Sequence, residues 1–433
     1  MQSSKIASAR PVRRTCWGLS LMLGFVLPGL TAPLPAAAAD ASGIVEAART
    51  DNLPALRKLL KERADVNAPS NDGSSALLWA AYNSNAEMAK ALLAAGATVD
   101  SANHYGVTPL LQASRNGEVE VMQVLLDAGA QATRWHPEGE TPLMAASRTG
   151  HVDAVRLLIS RGAFVNAADP FQEETALMWA SAEGHADVVT ALLSAGADPN
   201  LKAHVSQITT RSHADHPSGG FTALMFAARN GRRDVVKTLM QSGADPKLTN
   251  ADGMTATIVA IVNDRLDLAK EMLDLGSDPN DGALFFAVDM HDATTDTRAQ
   301  DSTRMQPDHA NTLTSLNLVK ALLDLGADVN KPFSGAQHST SMCCSPQIKS
   351  SPFYRAATAA DVEVLKLLLA KGAKLDWTPA EIKPAEGAKA PPGPNANASQ
   401  SALLAAMKGG AGPPIQGGPG YTRSGPPPYR EPG

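Results

Sequence analysis

Two adjacent apolar residues, then three others, then Ala or Ser recur nine times along the 433-residue chain. The closing position falls at Ala64, Ala97, Ala130, Ala163, Ala197, Ala244, Ser277, Ala327 and Ala373, with successive gaps of 33, 33, 33, 34, 47, 33, 50 and 46 residues. A fixed unit of about 33 residues, interrupted a few times, is the pattern of a solenoid. Within a unit the apolar positions follow a helical period. Val155, Leu158 and Ile159 predict one face of a helix, and Leu143 with Ala146 predicts the inward side of a shorter helix before it. Each repeat is therefore a helix pair that buries its apolar faces against its neighbours, and the core is a series of thin layers.

Residues 139 to 166 form the best-defined unit. Thr141 is placed to cap the first helix, Pro142 occupies the first turn where no N–H is needed, and Gly150 ends it. Gly162 supplies the left-handed residue that closes the second helix, and a turn follows. Helix, turn, helix and turn-forming loop, with Thr-Pro-Leu near the start and Gly-Ala near the end, resemble the ankyrin repeat. The Thr-Pro-Leu element is intact at Thr108-Pro109-Leu110 and Thr141-Pro142-Leu143, and varied at Thr175-Ala176-Leu177, Thr222-Ala223-Leu224 and Ser351-Pro352-Phe353. The His usual in that family after Leu is absent; Leu78, Leu111, Met144, Met178 and Met225 replace it, exchanging a hydrogen bond for apolar packing. The resemblance implies an all-α ankyrin-repeat solenoid of about nine helix-turn-helix repeats, with a partial C-terminal repeat.

The irregular gaps locate the departures. Extra residues at about 201–219 and 331–350 lengthen loops between repeats, whereas those at about 291–313 fall inside repeat eight, whose leading loop is shortened and whose excursion leaves from the opposite edge. Growth of a loop from eight to about 22 residues costs only about 1 kcal/mol in closure entropy, so length alone implies no role. The expected organisation is a leader at 1–39, a solenoid at 40–382, a Pro/Gly/Ala-rich linker at 383–397, a partial terminal repeat helix at 398–410, and a disordered Pro/Gly-rich tail at 411–433.

Lys5, Arg10, Arg13 and Arg14 precede an apolar run from Trp17 to Leu30, and Ala37-x-Ala39 stands before Asp40, which reads as a secretory signal peptide rather than a membrane span. The leader carries those four basic residues and no acidic one, so its removal takes the formal charge from −5 to −9. An acidic balance of this size disfavours nucleic acid as a partner. Export to a bacterial periplasm or outside the cell is the expected address, with no integral membrane segment after leader removal and a monomeric state.

Little in the chain points to catalysis. No Gly-rich phosphate loop and no Ser nucleophile elbow occurs, and Asp245, Asp278 and Asp328 follow helix ends as turn residues. No cofactor and no catalytic residue is expected. His204, His213 and His216 share a long loop in which a His-x-x-His pair has no fixed facing geometry. Cys343 and Cys344 are adjacent, with Cα atoms about 3.8 Å apart by backbone geometry, below the usual disulfide range. With His338 and Met342 they define an alternative reading, a redox or soft-metal site; an accessory factor for an exported enzyme is another.

What the resemblance implies instead is a partner-binding face made of interrepeat loop tips and first-helix ends. The tip positions are His104, Tyr105, Trp135, His136, Glu138, Phe171 and Gln172. The helix-end positions are Tyr82, Asn83, Arg115, Asn116, Arg148, Glu183, Arg229 and Asn230. Aromatics and arginines are enriched at binding hot spots, and here an aromatic tip recurs in three consecutive loops. Trp79, Trp179 and Phe226 sit earlier on the first helices, where packing between repeats is expected. The expected function is a non-enzymatic scaffold that holds a protein partner across repeats 2–6.

Overall fold

The computed structural model describes residues 36–206, 218–291, 310–333 and 351–375. Among them are nine helix pairs. The first, inner helices are α1 (Ala36–Arg49), α3 (Ala76–Tyr82), α5 (Pro109–Asn116), α7 (Pro142–Thr149), α9 (Ala176–Glu183), α11 (Ala223–Arg229), α13 (Ala256–Val262), α15 (Ala283–His291) and α17 (Pro352–Thr358). The second, outer helices are α2 (Leu53–Lys61), α4 (Ala86–Ala94), α6 (Val119–Asp127), α8 (Val152–Ser160), α10 (Ala186–Ser194), α12 (Arg233–Gln241), α14 (Leu266–Asp274), α16 (Ser315–Asp324) and α18 (Val362–Ala370). Inner helices stack on inner helices and outer on outer.

Local chemistry sets each inner helix. Ser75, Thr108, Thr141, Thr175, Thr222, Thr255 and Ser351 each accept, through the side-chain hydroxyl, the N–H three residues on, at 3.1 to 3.4 Å. One otherwise orphaned donor per helix is satisfied in this way. The five residues that replace the family's His, Leu78, Leu111, Met144, Met178 and Met225, are all buried. Phe226 is buried too, and Trp79 and Trp179 pack partly buried against the core, as residues between repeats.

Polar side chains tie successive repeats along the edge where outer helices end. The amides of Asn67, Asn166, Asn200 and Asn330 donate to the carbonyls of Gly96, Gly196, Gly243 and Gly372 in the following repeat at 3.1 to 3.2 Å. Their Oδ1 atoms accept from Thr98, Asp198, Asp245 and Lys374 N–H at 2.8 to 2.9 Å. Asp245, Asp278 and Asp328 are turn residues as expected, each accepting the N–H two residues on.

The loops between repeats stack in a row. Gly106 and Gly139 adopt left-handed φ of 81° and 90°. A Cβ on either would lie 2.2 or 2.3 Å from the ring of Pro137 or Pro170 in the next loop, so close stacking there requires glycine. The described ends of the insertion at 201–219 join this row, His204 N–H donating to Gln172 O and Ala251 N–H to Gly219 O. They pair as a short antiparallel ladder, β1 (Val205–Ser206) with β2 (Ser218–Gly219), within an otherwise helical ankyrin-type solenoid.

Repeat eight lacks its loop and is held differently. Asp281 takes over the capping role, accepting the Ala283 N–H and the Thr255 hydroxyl. Phe285, Phe286 and Phe333, all buried, fill the space, with the rings of Phe286 and Phe333 edge to face at 4.8 Å. Beyond His291, the chain is described again from Ala310, where Asn311 bridges repeat seven: its Oδ1 accepts Leu266 N–H and its amide donates to Asp264 O. The leader expected at 1–39 lies outside the described residues except for its last four, which form the first turn of α1; the buried residues Ile44, Val45, Ala47 and Ala48 all follow Asp40. The 383–397 linker, the 398–410 helix and the 411–433 tail lie outside the described residues.

Candidate binding face

Three aromatic side chains stand out at consecutive loop tips: Tyr105 is 69% exposed, Trp135 44% and Phe171 59%. Each tip is fixed by a side chain that folds back onto its own turn. Asn103 Oδ1 accepts the N–H groups of Tyr105 and Val107, and Asp169 accepts those of Phe171, Gln172 and Glu174 at 2.7 to 2.9 Å. These are Asx-type turns, which present the aromatic ring without freedom in the backbone beneath it.

His136 plays that same turn role and is not a tip residue. It is buried, and its Nδ1 accepts Glu138 N–H at 3.1 Å, so the ring organises the loop that carries Trp135. His104 is exposed, while its N–H donates to Asp72 O of the preceding loop at 2.9 Å. Glu138, Gln172 and Glu183 are exposed.

At the helix ends the structure separates stacking residues from surface residues. The amide of Asn83 donates to Ala48 O at 2.8 Å, that of Asn116 to Tyr82 O at 3.0 Å and that of Asn230 to Ala182 O at 2.8 Å, so these asparagines satisfy carbonyls at the end of the previous inner helix. They belong to the stack rather than to a free face. Tyr82, 58% exposed, meets Trp79 edge-on at 5.4 Å.

The arginines are engaged within the protein. Arg115 and Arg148, from adjacent repeats, both clamp Glu140, Arg148 at 3.1 Å. Arg148 also lies over Trp179, 5.2 Å from the ring centroid, and Arg229 lies 5.2 Å from Phe226 and 5.5 Å from Phe221. Glu174, at the place in repeat five that Glu140 holds in repeat four, is pushed above the usual carboxylate range by burial and by Asp169, with Arg229 opposing. The arginines thus act as rigid walls of the face, and the aromatic tips supply its open apolar area.

One exposed residue escapes sequence reading. Phe164, 68% exposed, lines a crevice with Trp135, Thr133 and Leu143. The crevice has a volume of about 10 Å³, room for no more than one water, so the feature is a surface and not a small-molecule pocket. The available signal is positional: Phe164 stands where Asp198, Asp245, Asp278 and Asp328 stand in other repeats.

Among the described residues no group of three or more His, Cys, Asp or Glu side chains converges as a cation site, and no helix is long and apolar enough to cross a membrane. His213, His216, His338, Met342, Cys343 and Cys344 lie outside the described residues.

A stack of helix pairs with a row of projecting loops beside its inner helices defines a repeat scaffold whose face is assembled from many consecutive units. The family model for ankyrin repeats in three copies matches residues 44–136, 131–203 and 205–283, more than half of the chain, and the protein belongs to the ankyrin repeat family. The crystal structure of the human ASB11 ankyrin repeat domain is similar to it at 29% identity, with a TM-score of 0.43, over 50% of this chain and 90% of that one. A comparison with curated proteins found no match. Ankyrin repeats are generally protein–protein interaction modules, and their domains are typically non-enzymatic.

Proposed function

We propose that the protein is an exported, non-enzymatic scaffold that holds a protein partner along the loop tips and inner-helix ends of repeats 2–6. The observation that carries this reading is the set of three exposed aromatic tips, Tyr105, Trp135 and Phe171, on consecutive turns locked by Asn103, His136 and Asp169. Large rings on a backbone that is already ordered lose little entropy on binding, which favours their use as anchors. Export rests on the basic, apolar and small-residue segments of the first 39 residues.

Affinity capture from the native compartment, with the mature protein as bait, tests the face. Replacing Tyr105, Trp135 and Phe171 together by Ala should abolish recovery of the partner while leaving thermal unfolding unchanged. Unimpaired recovery would reject this face. Export is tested separately by N-terminal sequencing of the native protein, which should begin at Asp40.

A further inference from the structure

The last described repeat presents an apolar face that every earlier repeat covers. One column of the outer helices, Ala89, Met122, Val155, Val189, Val236, Ala269 and Val319, is at most 1% exposed from repeat two to repeat eight, yet its successor Leu365 is only partly buried. A second column runs Leu93, Leu126, Ile159, Leu193, Met240, Leu273 and Leu323, each buried or partly buried, and ends in Leu369, exposed at 42%. On the inner helices the column of Leu78, Leu111, Met144, Met178, Met225, Ile258 and Phe285 is buried throughout, and its successor Tyr354 is half-buried. Leu375, on the turn beyond, is 49% exposed. Terminal repeats of a solenoid stay soluble through a polar outer side, whereas here Leu365, Leu369 and Leu375 stand partly or largely open.

The chain continues past this face, and its sequence returns to the inner-helix pattern once. Residues 401–407 read Ser-Ala-Leu-Leu-Ala-Ala-Met, and Ser75 with the start of α3 reads Ser-Ala-Leu-Leu-Trp-Ala-Ala, identical at five of seven positions. Gly410 follows Ser401 by nine residues, as Gly117 follows Thr108, Gly150 follows Thr141 and Gly184 follows Thr175. The connection is also of a length the fold already uses. Between Leu375 and Ser401 stand 25 residues, against 22 between Pro199 and Thr222 and 21 between Val329 and Ser351, the corresponding positions around the two lengthened loops.

We propose that residues 401–408 dock on the end face of repeat nine as a tenth inner helix, with Leu403 and Leu404 covering Tyr354, Leu365 and Leu369. A tether of this length holds the segment at an effective concentration far above that of any second copy, which favours the chain's own segment as the occupant. The Pro- and Gly-rich 383–397 stretch then serves as the loop into a half-repeat, and the array ends on a single capping helix.

Amide hydrogen exchange on the full chain tests this with the double variant Leu403→Asp/Leu404→Asp and the conservative Leu403→Met/Leu404→Met. The Asp variant should speed exchange in α17 and α18 at least tenfold and leave α3 to α10 unchanged, and the Met variant should restore wild-type protection. Equal protection of α17 and α18 in the wild type and the Asp variant would overturn the proposal. Protection that rises with protein concentration alongside a sedimenting dimer would overturn it as well, because a second copy would then be the cover.

Discussion

The asparagine rungs that tie consecutive repeats are interrupted at Asp100, Thr133 and Lys247, and restoring the one at Thr133 should stabilise the protein. At the position of Asn67, Asn166, Asn200 and Asn330, repeat three carries Thr133, which has no amide to donate to Gly162 O and reaches less far than Asn toward the Phe164 N–H. Thr133→Asn would add the two hydrogen bonds that each intact rung makes, one donated at 3.1 to 3.2 Å and one accepted at 2.8 to 2.9 Å. Each is worth about 0.5 to 1.5 kcal/mol net in general, and at this exposed edge the low end applies. Ordering the side chain offsets part of the gain, leaving about 0.5 to 1 kcal/mol. For a cooperative unit of 150 to 250 residues, that is a rise of roughly 1 to 4 °C in melting temperature. The reverse change, Asn166→Thr, should lower stability by a similar amount, and urea titration of both variants against the wild type reads the difference at unchanged slope. If neither substitution moves the midpoint, the rungs carry no stability and the repeats are held by apolar stacking alone. A rise with Thr133→Asn and no fall with Asn166→Thr would equally refute equivalence of the rungs.

Gly106→Ala should destabilise by about 2 kcal/mol or more, because a left-handed backbone combines with a Cβ 2.2 Å from Pro137. Gly129→Ala, with φ of 92° and nothing within 4 Å, should show only the backbone strain of about 1 kcal/mol, so chemical denaturation of the pair isolates the packing cost. Leu158→Ala, at a fully buried position, should cost about 2 to 5 kcal/mol by the same measurement. Asp267 is held below the usual carboxylate range: burial acts upward, but the N–H groups of Thr312 and Leu313, the Thr312 hydroxyl and Arg233 outweigh it. Its contribution is present above the ordinary carboxylate pKa and is lost as pH falls through the lower folded value, so the 310–314 arm should loosen below about pH 4. Exchange of the Thr312 and Leu313 amides, corrected for intrinsic rate, should accelerate there in the wild type and be fast at neutral pH in Asp267→Asn.

The helix pairs, their caps and the closing glycines are legible because each is a short-range requirement repeated at fixed spacing: Thr141 caps α7 for the same reason that Thr108 caps α5. His136 reads as a surface residue by type, although it stands five residues before Thr141, where Asn103 and Asn250 stand before Thr108 and Thr255. Neutral imidazole Nδ1 accepts an N–H as an Asn side-chain oxygen does. The asparagines at helix ends read as part of the face because sequence spacing cannot tell a side chain that points outward from one that reaches back to the previous repeat. The clamp of Arg115 and Arg148 on Glu140 depends on the rotation between repeats, which the period leaves undetermined. Phe333 packs on Phe285 and Phe286 beside Gly282, at the end of the shortened loop that leads into α15, a consequence of spacing that single residues do not reveal.

The break at repeat eight changes what couples the array. Up to repeat seven, neighbours share stacked loops. Repeat eight has none, and polar groups add to the apolar stacking on either side of it. Asn311, Thr312 and Leu313 bond to α14 and the turn before it, whereas the first helix of repeat eight meets repeat nine through His291 with Asp361 and Asp289 with Arg355. Asp361, Asp289 and Arg355 are largely withdrawn from solvent, at 9%, 13% and 17% side-chain exposure, where loss of an opposite charge costs more than at an exposed surface. Such pairs hold a specific geometry but are intolerant of change, unlike the interchangeable apolar layers before them. A continuous row of loop tips therefore cannot extend through repeat eight, which confines the candidate face to the repeats before it.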